Sequence, residues 1–218
     1  MTNLIISNIC NASCGYCFAN VYMNSTHHMG MPPFMSLEEF TAALDFLDRS
    51  GINEVRFLGG EPTMHPEFST LIHMTRQRNK RITVFTNGLI PEKALHDLQE
   101  LPVKECRVIV NMSATFPNLP ANKNAEEKRR QILQSLGKRA LPGFNIQSPD
   151  FDLSELFLTI GETGVCNVIR LGMALPTSQA KNHFVHPKQY RLIGSQIARQ
   201  SERAARESVT TRPVFADH

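Results

Sequence analysis

The sequence predicts an α/β fold built on a parallel sheet. Two observations carry this. Short β-branched, apolar runs recur along the chain, and a segment of helical periodicity follows each of them. Regular alternation of strand and helix favours parallel strands joined by right-handed crossovers. Six such units would close into a barrel-like sheet or spread into a doubly wound one.

The elements read in order as follows. "NLIISN" (3–8) is the first strand. A long, turn-rich stretch, "NSTHHMGMPPF" (24–34), has the composition of a surface loop. "SLEEFTAALDFLDRSG" is a helix with Ser36 as N-cap, Glu39 three residues later and Gly51 at its end. Strands are expected at 53–60, 81–88, 104–113, 143–149 and 167–176. Helical patterns follow them in "HPEFSTLIHMTRQRN", "PEKALHDLQEL", "NAEEKRRQILQSLGKRA", "DLSELFLTIGETG" and "PKQYRLIGSQIARQSERAARES". A strand-like "TRPVFADH" ends the chain. No internal repeat or low-complexity linker breaks the pattern.

Composition narrows the function classes. The 218 residues are 41% hydrophobic and 20% charged, ordinary values for a globular chain with a sizeable core. A formal charge of +3, scattered along the chain, gives no case for nucleic acid. The N-terminal run lacks the basic flank and cleavage site of a signal peptide, and no stretch is long enough to span a membrane. Five cysteines, three of them in eight residues, do not resemble a disulfide framework. A reducing cytoplasm is the expected compartment.

Those three are Cys10, Cys14 and Cys17 in "ICNASCGYCFAN". Core burial seldom places three thiols in one loop. A structural zinc site wants four ligands, which would enlist His27 or His28. The CGYC segment has dithiol spacing but leaves Cys10 spare. An iron–sulfur cubane normally takes four thiolates, so three would leave one iron open for a ligand. The loop follows the first strand, at the carboxyl edge where α/β sheets bind their ligands.

"CNASCGYC", with Tyr16 before the last cysteine, resembles the CxxxCxxC signature of the radical S-adenosylmethionine (radical SAM) superfamily. The resemblance implies a partial (β/α)6 barrel, with Cys10, Cys14 and Cys17 holding a [4Fe–4S] cluster. It implies S-adenosylmethionine bound at the open iron and cleaved reductively to a 5′-deoxyadenosyl radical that abstracts hydrogen from a substrate. It also implies a flavodoxin- or ferredoxin-like electron donor. The substrate would be a peptide, or a nucleotide or other small metabolite; neither nucleic acid nor membrane is expected as a partner.

A second motif follows a strand directly: "VRFLGGEPTMHPEF". Two glycines at a strand end let a backbone approach a ligand closely, and Pro62 stiffens the exit. Alone it reads as a turn before a helix. After CxxxCxxC it resembles the family's glycine-rich motif, in which Gly59 and Gly60 would offer backbone and Glu61 a carboxylate to the cofactor's ammonium. By the same analogy the backbone around Tyr16 and the end of strand six, near Met173 and Ala174, would border the adenine. Polar residues ending strands four and five, Asn111 and Ser113 among them, would face the ribose and carboxylate.

Alternation along the strands sorts the remaining residues. Cys106, Val108, Val110 and Met112 share the helix-facing side of strand four; Arg107, Ile109, Asn111 and Ser113 share the inner side. Arg170, between Ile169 and Leu171, would point inward. A guanidinium there needs an acceptor, either a protein carboxylate such as Glu105 or Glu162 or a ligand carboxylate from the cofactor or the substrate, and Arg170 is counted among the expected cofactor-binding residues. Cys106 and Cys166 read as structural. His27, His28, His65, His73, His183 and His186 read as surface or loop residues, and Met29, Met31 and Met35 as packing. One radical SAM core domain is expected over 1–218, either sufficient alone or a fragment lacking a cysteine-rich C-terminal extension. An iron–sulfur electron carrier without S-adenosylmethionine chemistry and a zinc-binding protein stand as alternatives.

Overall fold

Seven parallel strands form one open sheet in strictly sequential order, β1 to β7, with β1 and β7 as its edges. This is a computed structural model, and it describes residues 2–17, 32–113, 123–176 and 183–213. The strands are β1 (Thr2–Ser7), β2 (Glu54–Gly59), β3 (Arg81–Thr86), β4 (Cys106–Asn111), β5 (Ala140–Ile146), β6 (Val168–Met173) and β7 (Thr210–Pro213). Between them run α1 (Leu37–Arg49), α2 (Phe68–Gln77), α3 (Glu92–Gln99), α4 (Lys123–Leu136), α5 (Ser154–Thr163) and α6 (Tyr190–Arg206). Sequential order with crossovers of one hand places the helices on one side, which selects the partial barrel over the doubly wound sheet.

Two strands differ from expectation. A seventh, β7, extends the sheet by pairing Val168 with Thr210 and Leu171 with Pro213. Its last three residues, 211–213, open the "TRPVFADH" tail; 214–218 lie outside the described residues. β5 begins at Ala140 rather than Gly143 and contains Pro142. A proline is tolerated there because pairing with β6 starts only at Gly143, so its missing donor falls beyond that ladder.

The core lies between the helices and the outer face of the sheet. Ile6, Val55, Phe57, Ile82, Val84, Val108, Val110, Ile169 and Leu171 are buried there. In α1 the spacing of Phe40, Leu44 and Leu47 puts all three on the buried stripe. Each contributes roughly 1.5–3 kcal/mol by leaving water. Phe57 bridges α1 and α2, meeting Phe40 edge-on at 5.8 Å and Phe68 at 6.1 Å. The capping box forms as read: Ser36 Oγ accepts from Glu39 N at 3.1 Å, and Glu39 Oε2 accepts from Ser36 N at 2.7 Å. Gly51 follows the helix with φ +65°.

Cys106 is buried on the helix side, where desolvation pushes its thiol up to about 12. Cys166 is half-buried at the entrance to β6. His73, His183 and His186 are exposed, but His65 is not. Its Nε2 lies 2.9 Å from the Met35 carbonyl and its Nδ1 accepts from Glu67 N, so it is a packed ring at the turn into α2. Met35 is partly buried against the core; His27, His28, Met29 and Met31 lie outside the described residues.

Candidate active site

The carboxyl edges of β1, β2 and β3 converge on one residue, Asn87. Its backbone N–H donates to Glu61 Oε2 at 2.8 Å, and its side chain donates to Asn11 Oδ1 at 2.8 Å and to Cys10 Sγ at 3.6 Å. Its own Oδ1 accepts from Leu89 N and its carbonyl from Arg129 Nε, both at 2.8 Å. The cysteine loop and the glycine-rich turn are therefore joined through the end of β3. Sequence reading gave Asn87 no role. The signal was present in "FTNG", an Asn-Gly turn at a strand end.

The three cysteines are half-buried in one loop closed by Cys17 N donating to Cys14 O at 3.0 Å. Burial raises the Cys10 and Cys14 thiols above their ordinary range, and the neighbouring sulfurs add to this. Among the described residues no group of three His, Cys, Asp or Glu is gathered tightly enough to hold a single metal ion. A zinc ion needs such a group; a cubane does not, because each thiolate takes a different iron and the sulfurs stand farther apart. The donor set of three thiols on one short loop fits the cluster.

Tyr16 fastens the loop to the sheet. Its hydroxyl lies 2.5 Å from Asn111 Nδ2 and also meets Asn145 and Cys14. Burial holds the phenol well above its usual range. Asn111 Oδ1 accepts from Ser113 N at 3.1 Å, and Ser113 Oγ accepts from Asn145 N. Asn111 thus lies beside the loop, whereas Ser113 is buried and committed to the backbone of β5. At the far end, His183 N donates to Gly15 O at 2.8 Å and Val185 N to Ala174 O at 2.9 Å. That short segment spans the loop before Tyr16 and the end of β6. Met173, which ends β6, is partly buried and packs against the core.

The glycine-rich turn differs from expectation in its division of labour. Gly59 adopts φ +153°, and a Cβ on it would collide with the Ser7 carbonyl, so glycine is required for β2 to press on β1. Gly60 N donates to that same carbonyl at 2.8 Å and Glu61 N to Ile9 O at 2.7 Å. Glu61 is 0% exposed. Its carboxylate accepts from Thr63 Oγ1 at 2.6 Å, Thr63 N at 3.2 Å and Asn87 N at 2.8 Å. Burial raises its pKa and these donors pull it back, with burial the larger effect. In this arrangement the Glu61 carboxylate is engaged within the turn, one oxygen by Thr63 and the other by Asn87.

Arg129 is a site residue that sequence reading missed. It reaches from α4, only 4% exposed, and its guanidinium lies close enough to Cys14 and Tyr16 to act on both electrostatically. Desolvation lowers its pKa, and those two groups and Glu126 oppose the shift. Nothing in "AEEKRRQ" distinguishes it from a solvated basic run. Arg170 points inward as alternation requires, its guanidinium 5.3 Å from the centroid of the Phe85 ring.

Comparison with known proteins agrees with this geometry. A sequence profile of the Radical SAM superfamily matches residues 4–138. GTP 3',8-cyclase of Vibrio vulnificus is 27% identical over 143 residues, which is 65% of this chain and 42% of that enzyme. The chain thus spans about two fifths of the length of that curated relative. The crystal structure of Streptococcus suis SuiB bound to precursor peptide SuiA superposes with a TM-score of 0.71 at 15% identity, over 98% of this chain and 48% of SuiB. Native anSMEcpe with bound AdoMet superposes with a TM-score of 0.67 at 17% identity, over 96% of this chain and 62% of that one. The open parallel sheet is the fold they share. With the match running from β1 through α4, across the cysteine loop and the glycine-rich turn, the chain belongs to the radical SAM superfamily of enzymes, which use a [4Fe–4S] cluster and S-adenosylmethionine.

Proposed function

We propose that this chain forms a radical SAM active site in which Cys10, Cys14 and Cys17 hold the cluster and the inner face of the barrel receives the substrate. The observation that carries the reading is the Asn87 junction, which ties Cys10 to the Glu61 turn at the carboxyl edge of the sheet. When bound, the cluster and S-adenosylmethionine together supply a 5′-deoxyadenosyl radical for hydrogen abstraction.

The chain's own residues have separate tasks. Gly59, Gly60 and Glu61 present backbone to the ammonium of S-adenosylmethionine, with the Glu61 carboxylate as their support. Tyr16 and Asn111 fix the loop against β4, and Asn111 faces the ribose or carboxylate. The backbone at Met173 and Ala174 borders the adenine. Ser113 holds Asn145 in place. Arg129 offsets negative charge gathered by three thiolates. A reducing compartment and a flavodoxin- or ferredoxin-like donor suit this chemistry. Among the described residues no helix is long and apolar enough to cross a membrane. SuiB bound to a peptide and GTP 3',8-cyclase, named for a nucleotide, support a peptide or a small metabolite as substrate.

The test is anaerobic reconstitution followed by reduction with dithionite in the presence of S-adenosylmethionine. Formation of 5′-deoxyadenosine and methionine is expected. A protein that holds a cluster yet releases neither product is an electron carrier instead.

A further inference from the structure

Every charged residue of the seven strands lies on the inner face of the sheet. Register establishes this: Glu54 pairs with Arg81, Arg56 with Thr83, and Thr83 with Arg107. Higher on the same face, Asn111 pairs with Gly143, Gly143 with Arg170 and Arg170 with Arg212. Partners in parallel strands point the same way, as do residues two apart. Five arginines, Arg56, Arg81, Arg107, Arg170 and Arg212, therefore share this face with one carboxylate, Glu54.

Glu54 is already engaged, 3.0 Å from Arg56 Nε and 3.8 Å from Arg81 Nη2. Arg170 has no such partner: among the described residues no ion pair involves it, and its contact is the Phe85 ring. The two carboxylates named as candidates from the sequence are engaged elsewhere, Glu105 with Arg76 and Glu162 with Arg130. Gly172 lets two side chains close in over it, since a Cβ there would lie 2.5 Å from Asn145 Oδ1 and 3.4 Å from Arg170 Nη1. Burial and the nearby Arg56 both disfavour its charge. A guanidinium cannot escape by losing its proton, so a half-buried one beside another cation calls for an anion from outside the fold. The fork geometry matches a carboxylate or phosphate bidentately, and a concave face of one sign concentrates anions.

We propose that the inner face around Arg170, with Arg56 and Arg107 nearer the amino edge, binds an anionic group of the substrate, a phosphate or a carboxylate. This deepens the reading of the barrel interior as the substrate cavity. The substrate, rather than the cofactor, is the partner because the proposed cofactor contacts gather at the strand ends, around Glu61, Asn87 and Asn111. Arg170 precedes the end of β6 by three residues. Arg107 is the second residue of β4 and Arg56 the third of β2.

The reconstituted protein is titrated calorimetrically with pyrophosphate and, separately, with succinate, at low and moderate salt. Binding of at least one probe is expected, weakened about tenfold or more by Arg170→Gln, as loss of a charge-assisted fork implies. Affinity for S-adenosylmethionine should stay within about twofold, a change far below one such contact. A preference for pyrophosphate assigns a phosphate group, and a preference for succinate a carboxylate. The bound anion should also raise the thermal midpoint of the wild type and not that of Arg170→Gln, so a less stable variant remains readable. Failure of both probes to bind overturns the proposal. So does an Arg170→Gln variant that keeps the anion and loses S-adenosylmethionine. A wild type that binds the anion but yields no 5′-deoxyadenosine sinks the proposed activity and leaves the anion site standing.

Discussion

The Glu61 carboxylate accepts the backbone N–H of Asn87 at 2.8 Å, while the Asn87 side chain reaches Cys10 Sγ at 3.6 Å. Two motifs distant in sequence thus share a support at the end of β3. Glu61→Ala would leave the Asn87 and Thr63 N–H groups without their acceptor in a site closed to water. Buried donors so orphaned cost about 1–3 kcal/mol each, and a loss of about 3 kcal/mol is expected in urea unfolding. Glu61→Gln should cost less, since one oxygen remains, yet its amide NH2 must face an N–H. Stability equal to wild type in the Ala variant would remove the supporting role and restore direct contact with the cofactor as its task.

Gly59 is the steric counterpart of that polar support. With φ +153° and the Ser7 carbonyl in the place of a Cβ, Gly59→Ala forces β2 away from β1. Backbone incompatibility of this kind exceeds the usual glycine effect, and destabilisation of about 2 kcal/mol or more is expected by thermal melting. Gly15→Ala is the control, because a Cβ there meets nothing within 4 Å. Equal melting of the two variants would contradict the steric account.

The strands and helices were legible because apolar periodicity reports burial, and here one face of the sheet is covered by helices. The cap of α1 was legible because Ser36 and Glu39 act locally. β7 was harder: a four-residue edge strand with mostly polar, exposed residues has almost no periodicity to read. The cysteine loop declared itself by spacing. Asn87 and Arg129 did not, since their roles come from contacts made only when β3 and α4 reach the loop from distant positions. Glu61 was read as a carboxylate offered to the cofactor, and both of its oxygens accept hydrogen bonds from the protein, one from Thr63 and the other from Asn87. Sequence shows that a carboxylate follows two glycines, but not whether it points out to a ligand or in beneath the turn.

Cysteine replacement separates the cluster from the rest of the fold. Ala at Cys10, Cys14 or Cys17 should abolish cluster binding, while Cys106→Ala and Cys166→Ala should retain about four irons per chain, the content of a cubane. Cys106→Ala has its own cost, because that side chain is buried and leaves a small cavity of about 1 kcal/mol. Iron and sulfide analysis after anaerobic reconstitution decides the matter, and a full cluster in the Cys10 variant would refute the assignment.

Arg129 offers the last test, one that separates charge from scaffold. The side chain gives its Nε to the Asn87 carbonyl at 2.8 Å, and its charge favours the thiolate form of Cys14. Both roles vanish in Arg129→Met, but Arg129→Lys keeps the charge and loses the fork. Cluster potentials follow net charge and burial around the sulfurs. Removing a buried cation beside the cluster makes the reduced, more negative state harder to reach. A redox titration followed by electron paramagnetic resonance should therefore show a more negative midpoint for Arg129→Met, with Arg129→Lys between it and the wild type. Unfolding should register the lost bond to Asn87 as about 1–2 kcal/mol in the Met variant. A midpoint unmoved in both variants, with the stability loss intact, would reduce Arg129 to a strut for the β3 turn.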